Sequence, residues 1–173
     1  MLAIASVVIS LDQWTKAKIL KTLSAEGDSM SILSWFDFTL IFNPAAAFGL
    51  MRNLPENIRT WVFFILPPAV LTILWFGYIR HFKKNELLGP IAMGLVIGGA
   101  LGNYIDRFTV GKVVDFIDWF YLSGSGKCIL LFYNRTPQSC HWPAFNIADS
   151  AISCAIFLLI VQQILTFKNQ PKK

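Results

Sequence analysis

The stretch LLGPIAMGLVIGGALGNYIDRFTVGKVVDF, Leu87–Phe116, decides the fold. From Leu87 to Ile105 it carries no charge. That length suits a helix crossing a hydrocarbon layer of about 30 Å at a rise of about 1.5 Å per residue. Gly94, Gly98, Gly99 and Gly102 recur along it, and small residues at such spacings let neighbouring helices approach closely. Charge begins only beyond Ile105, with Asp106-Arg107, Lys112 and Asp115. The reading is a spanning helix that delivers a polar segment to one membrane face.

Three further segments extend this outward. Residues 61–79 are uncharged, with Pro67-Pro68 expected to kink the helix or thin its hydrogen bonding. Residues 147–167 are broken only by Asp149 near the start and Gln162-Gln163 near the end. Residues 1–20 are apolar to Ser10 and then carry Asp12, Gln13, Lys16 and Lys18. A cleaved signal peptide needs a basic region before its apolar run and a small-residue site after it, and neither is evident, so a first spanning helix is expected. Composition agrees: 55% hydrophobic and 14% charged residues, against roughly 45–50% and about 25% in soluble domains. The mean hydropathy is +0.55. The fold class expected is an all-α integral membrane protein of four transmembrane helices with a small extracytoplasmic β-cradle and loop, one domain over residues 1–173.

The net charge of +5 comes from short clusters beside apolar runs, namely Lys16, Lys18 and Lys21; Arg80, Lys83 and Lys84; and Lys168, Lys172 and Lys173. Such placement fits loop anchoring and topology rather than tracking of nucleic-acid phosphates. The basic loop after the second helix and the basic C-terminus put both termini in the cytoplasm, with residues 24–59 and 108–145 outside. The lysines after the first helix argue the other way, partly offset by Glu26, Asp28 and Asp37. In the first outer loop, residues 32–42 are rich in aromatic and β-branched residues, which predicts short strands. Asn53-Leu54-Pro55-Glu56 reads as a turn into the second helix. Cys128 and Cys140 share one loop while Cys154 lies in an apolar helix, without a CxxC or paired His, so zinc is not expected; His141 beside Cys140 is a faint hint. If that loop faces an oxidising compartment the two cysteines can pair; otherwise they are free thiols.

Ionisable residues at spanning helices are costly, and each is a functional candidate. Asp115 follows the third helix and Asp149 falls in the first turn of the fourth, at the same face in this topology. Two carboxylates at close range in a poorly solvated site cannot both ionise easily, so one keeps a proton. An aspartic protease needs that asymmetry: one group takes a proton from water while the other polarises the scissile carbonyl. Plainer readings stand beside it. Asp149 suits the positive end of a helix, Asp115 suits a solvated loop, and Asp118 is a rival carboxylate. Asp106 and Arg107 suit anchoring of a helix end. Asn43, Asn103 and Asn146 suit caps or turns, or hydrogen bonding to a peptide in a dry site.

Four segments in order, Leu11–Lys16, Asn43–Gly49, Gly98–Phe116 and Pro143–Ser150, resemble the signature blocks of bacterial lipoprotein signal peptidase, the type II signal peptidase. The resemblance runs from Leu11 to Ser150. It implies Asp115 and Asp149 as catalytic aspartates, with Asp12 and Arg107 supporting the architecture and Asn43, Asn103 and Asn146 lining the site. It further implies a diacylglyceryl prolipoprotein substrate cut before its lipidated cysteine, contact with membrane lipid, no metal or cofactor, a monomer, and inhibition by globomycin. Two departures stand out. Ala45 occupies the position where the family carries Gly, two residues after the Asn, which changes the bend of that loop. The interval from Asp115 to Pro143 is longer than the family norm and bears on substrate access. A transporter or membrane scaffold is the alternative reading. It would need a polar path across the bilayer midplane, whereas these charges gather at one face. A metalloprotease would need the HExxH pair.

Overall fold

A computed structural model describes residues 1–44, 55–81, 87–123, 127–129 and 132–168. Ala45 and the rest of its loop, the Asn53-Leu54 half of the expected turn, Phe82–Lys84, Gly124–Gly126, Lys172 and Lys173 lie outside the described residues. The described elements are helices α1 (Leu2–Thr22), α2 (Glu56–His81), α3 (Leu88–Thr109) and α4 (Ile147–Lys168), with strands β1 (Ser29–Leu33), β2 (Phe36–Asn43), β3 (Val113–Leu122), β4 (Tyr133–Thr136) and β5 (Ser139–His141). Each helix falls where the apolar run predicts it, most of them overrunning it at one or both ends, because a helix continues until its backbone is capped rather than until its side chains turn polar. α2 runs through Pro67-Pro68. Of the four, α3 and α4 are long and apolar enough to cross a membrane, and α2 contributes a shorter apolar stretch, Phe64–Tyr78.

The chain divides into two compact units. The first comprises Met1–Asp12, Pro55–Ile105 and Ile147–Lys173. Its core of Ala92, Val96 and Ala155 is covered by Leu71, Leu74, Leu95, Leu158 and Leu159. The α3 glycines set the spacing, as the sequence leads one to expect. A methyl group on Gly98 would lie 2.7 Å from Val8 Cβ and 2.9 Å from the Ala5 carbonyl oxygen, and one on Gly99 would lie 2.5 Å from the Ala148 carbonyl oxygen. Neither neighbouring backbone can yield, so only glycine allows α1 and α4 to lie this close to α3.

The second unit comprises Gln13–Leu54 and Asp106–Asn146. It holds a five-stranded sheet in the order β1-β2-β3-β5-β4, antiparallel at every pairing. The all-α description therefore needs correcting. The strands expected within 32–42 are present, but β3, β4 and β5 join them where the sequence reading left an outer loop. β3 is aromatic and β-branched nearly throughout, as strands packed on both faces are. β4 and β5 carry no such pattern. They pair with each other, and a disulfide joins Cys140 of β5 to Cys128 ahead of β4, which resolves the alternative left open for these cysteines.

A one-residue bulge in β2 decides which side chains meet. Asp37 pairs with Asp118 and Phe38 with Ile117, whereas Ile41 pairs with Asp115 and Asn43 with Val113. The extra residue between Phe38 and Ile41 reverses the alternation. Odd-numbered residues before it share the face of Asp118; those after it share the face of Asp115.

Candidate active site

Asp115 is buried at 2% exposure in β3, not in a solvated loop. Asn43, diagonal to it across the ladder, donates Nδ2 to its Oδ2 at 2.8 Å. Asn146 donates Nδ2 to its Oδ1 at 2.7 Å and to the Val114 carbonyl at 3.2 Å. Asn146 reaches this position because Phe145 pairs against Ile117, its carbonyl accepting the Phe116 and Ile117 amides at 3.1 and 2.8 Å. Each carboxylate oxygen of Asp115 thus receives an amide N–H, an arrangement that fixes the orientation of the carboxylate.

In the helical unit Asp149 lies in the first turn of α4. Asn103, on α3, donates Nδ2 to its Oδ1 at 2.7 Å. Asp12 is fully buried, and its Oδ1 accepts the Ala148 N–H at 2.9 Å. A carboxylate there satisfies one of the orphan donors at the helix start and meets the positive end of the helix dipole. A methyl group on Gly102 would lie 2.7 Å from Asp12 Oδ2, so the carboxylate fits only against bare backbone. Arg107 is half-buried in the last turn of α3, where a cation meets the negative end of the dipole.

The rival carboxylate belongs to a different arrangement. Asp115 and Asp118 are an odd number of residues apart in one strand and face opposite ways. Asp118 is fully buried and accepts Thr39 Oγ1 at 2.8 Å and the Arg135 guanidinium, while His141 Nδ1 lies 2.8 Å from its other oxygen. His141 Nε2 lies 3.0 Å from Ser139 Oγ, and its ring stacks on Phe120 at 5.1 Å. This has the order of a hydroxyl–imidazole–carboxylate relay. Ser139 is nonetheless buried at 6% exposure, and its Oγ already receives the Thr136 N–H and pairs with the Thr136 hydroxyl. The network fixes the β3–β5–β4 corner, and His141 belongs to it. Among the described residues no group of three His, Cys, Asp or Glu is placed to hold a metal ion.

Sequence reasoning missed one further cluster. Lys16, read as a topological anchor, is buried at 2% exposure with its Nζ 2.7 Å from Asp106 Oδ2. Gln13 Nε2 donates to Asp106 Oδ1 at 2.9 Å, and Asp106 Oδ2 also accepts the Val114 N–H at 3.0 Å. Asp106 therefore gathers the end of α1 and the start of β3. The available signal was that Asp12, Gln13 and Lys16 recur at helical spacing, which places Gln13 and Lys16 on one side of α1.

A lipid-suited helical unit, a strand sheet and aspartates held by asparagine amides define a membrane-embedded enzyme. Among solved structures, one titled as a bacterial membrane enzyme matches with a TM-score of 0.75 at 30% identity, covering 99% of this chain and 91% of that one. A sequence profile for signal peptidase (SPase) II matches residues 4–165. The lipoprotein signal peptidase of Syntrophotalea carbinolica is 34% identical over 94% of this chain and 89% of its own length. That of Alteromonas mediterranea is 36% identical over 98% and 81%. The chain belongs to the signal peptidase II family, a family of aspartic membrane peptidases.

Proposed function

We propose that this protein removes signal peptides from diacylglyceryl-modified prolipoproteins, cutting immediately before the lipidated cysteine, with Asp115 and Asp149 as its catalytic pair. The observation that carries this reading is the grip of Asn146 on Asp115, because only Ile147 and Ala148 separate Asn146 from Asp149 along the chain. In the mechanism one carboxylate, ionised, takes a proton from a water molecule, whose oxygen attacks the scissile carbonyl. The other, protonated, donates to the carbonyl oxygen. Collapse of the tetrahedral intermediate breaks the C–N bond and returns a proton to the departing cysteine amine. The pair titrates as a unit, so neither proton belongs to one residue alone. Asn43 and Asn146 hold Asp115, Asn103 holds Asp149, Asp12 fixes the start of α4, and Arg107 supports the end of α3.

All four helices are proposed to span the membrane. Asp12 and Lys16 of α1 do not oppose this, since both are buried within the protein rather than turned to lipid, while the exposed Lys18 and Lys21 lie toward its C-terminal end. Large apolar side chains stand outward on α2 (Ile65, Ile73, Phe76) and α4 (Phe157, Ile160, Ile164), as lipid-facing residues do. Both termini are cytoplasmic and the active site faces outward. The Cys128–Cys140 disulfide fits an oxidising outer compartment. The substrate is itself anchored by its acyl chains, so a monomeric enzyme meets it laterally at the outer interface.

The test is cleavage of a diacylated precursor by purified protein, with and without globomycin. Asp115→Asn and Asp149→Asn should each lower turnover by about 10²–10⁴-fold, the usual contribution of a positioned acid or base, while still inserting and binding. A correctly folded native protein that leaves the diacylated precursor intact removes the peptidase reading; an Asn variant at native turnover removes that residue from the pair.

A further inference from the structure

We propose that Asp106 is a positioning residue for the Asp115 carboxylate, acting through the Val114 peptide. The inference rests on Asp115 being one of the catalytic pair. Val114 pairs in register with Phe42 of β2, and both of its polar groups are held by side chains. Its N–H donates to Asp106 Oδ2 at 3.0 Å and its carbonyl accepts Asn146 Nδ2 at 3.2 Å. The cause lies in the sheet. β5 pairs with β3 only at Phe120–Leu122, and the Phe145 bridge covers Ile117. Among the described residues no strand pairs with Val114 on that edge, and a carboxylate and an amide take the place of one. The Val114 carbonyl carbon is bonded to the Asp115 nitrogen, so fixing this peptide fixes the root of the Asp115 side chain. Asn43 and Asn146 fix its tip. Asp115 is therefore held at both ends.

The burial of Asp106 supports a positional role. It is 3% exposed and its partner Lys16 is 2% exposed. Removing two charges from water costs more than their attraction commonly returns, and an apolar pair of similar size would close a helix end at least as well. An apolar pair has no acceptor for the Val114 N–H. Lys16 neutralises the buried carboxylate, Gln13 occupies its second oxygen, and the remaining capacity of Oδ2 is directed at the backbone beside Asp115.

The experiment compares kcat and KM on a diacylated lipopeptide for the full-length native protein, Asp106→Ala, Asp106→Asn, Lys16→Met and Asp115→Asn, each checked for folding by its thermal midpoint in detergent. Asp106→Ala removes the acceptor; kcat should fall about 100-fold with KM within about twofold, the loss expected from roughly 1 Å of misplacement. Asp106→Asn keeps an oxygen for the Val114 N–H and should stay within about 10-fold of native kcat. Lys16→Met breaks the ion pair but leaves the Asp106–Val114 bond, and should stay within about threefold. Should Asp106→Ala not fold, the ranking native, then Lys16→Met, then Asp106→Asn carries the test. A folded Asp106→Ala at native kcat overturns the inference, as does, where that variant does not fold, an Asp106→Asn no slower than Lys16→Met. So does Lys16→Met losing as much kcat as the Asp106 variants, which would make the ion pair itself the determinant. Asp115→Asn separates the two failures: if it turns over normally, the reading of the site falls; if it is inactive while the Asp106 variants are normal, only this inference falls.

Discussion

Asp115 and Asp118 show how little charge alone says about a residue. Both are buried carboxylates of β3, yet one meets asparagine amides and the other a cationic corner. Asp118→Asn should leave kcat within about threefold. It should cost about 1–3 kcal/mol of stability, the scale of a lost buried acceptor, moderated because Arg135 is 31% exposed and partly solvated. Thermal unfolding in detergent alongside a turnover assay checks both halves, and inactivity of folded Asp118→Asn would return it to the list of catalytic residues. At this scale the candidate site was legible in part. Carboxylates beside long apolar runs stand out because lipid makes them costly, which drew attention to Asp12, Asp115 and Asp149. The Lys16–Asp106 pair was not legible, because a lysine near the polar end of a helix looks like an anchor until its partner, 90 residues onward in the chain, is known.

Helices and strands differ in how openly they announce themselves. The four helices follow from the length and apolarity of their segments, a signal carried within each segment. The two faces of β2 do not, because the bulge between Phe38 and Ile41 breaks the alternation from which faces are read. Deleting Leu40 should remove the bulge and turn either Thr39 or Asn43 to the wrong face. The expected result is turnover lowered by about 10²-fold or more, and native activity in a folded deletion would show that the bulge is dispensable. β4 and β5 were illegible for another reason. β4 is exposed at every residue, so no apolar pattern marks it, and it is held by pairing with β5 and by Arg135 on Asp118. Close helix packing gives a second test at this scale. Gly99→Ala should cost about 1–3 kcal/mol through overpacking, since its methyl would press on the Ala148 backbone beside Asp149. Gly77→Ala, with open space around the new methyl, should be neutral or gain up to about 1 kcal/mol from helix propensity. Equal melting shifts for the two would contradict this account of α3.

For the molecule as a whole, the two compact units draw stability from different sources. The helical unit rests on apolar packing and bare-backbone contact. The sheet unit closes its far corner with Cys128–Cys140, joining residues separated by 12 in sequence. Closing a loop of that size restricts the unfolded chain by about 3 kcal/mol. Replacing both cysteines by serine should lower the thermal midpoint of the sheet unit by about 10–25 °C, at about 4–8 °C per kcal/mol for a small domain. Turnover below that midpoint should persist, since neither cysteine touches Asp115 or its asparagines. An unchanged midpoint, or activity lost in a fully folded variant, would assign the bridge another task.

Asp12 has a consequence for how this enzyme responds to the membrane around it. By taking the Ala148 N–H against the bare backbone of Gly102, it registers the first turn of α4 along the helix axis by protein contacts. Hydrophobic mismatch therefore has no freedom to slide that helix and must be absorbed by tilt or by local deformation of the lipid. The vertical position of Asp149 is set by a carboxylate and a glycine, not by the length of the surrounding acyl chains.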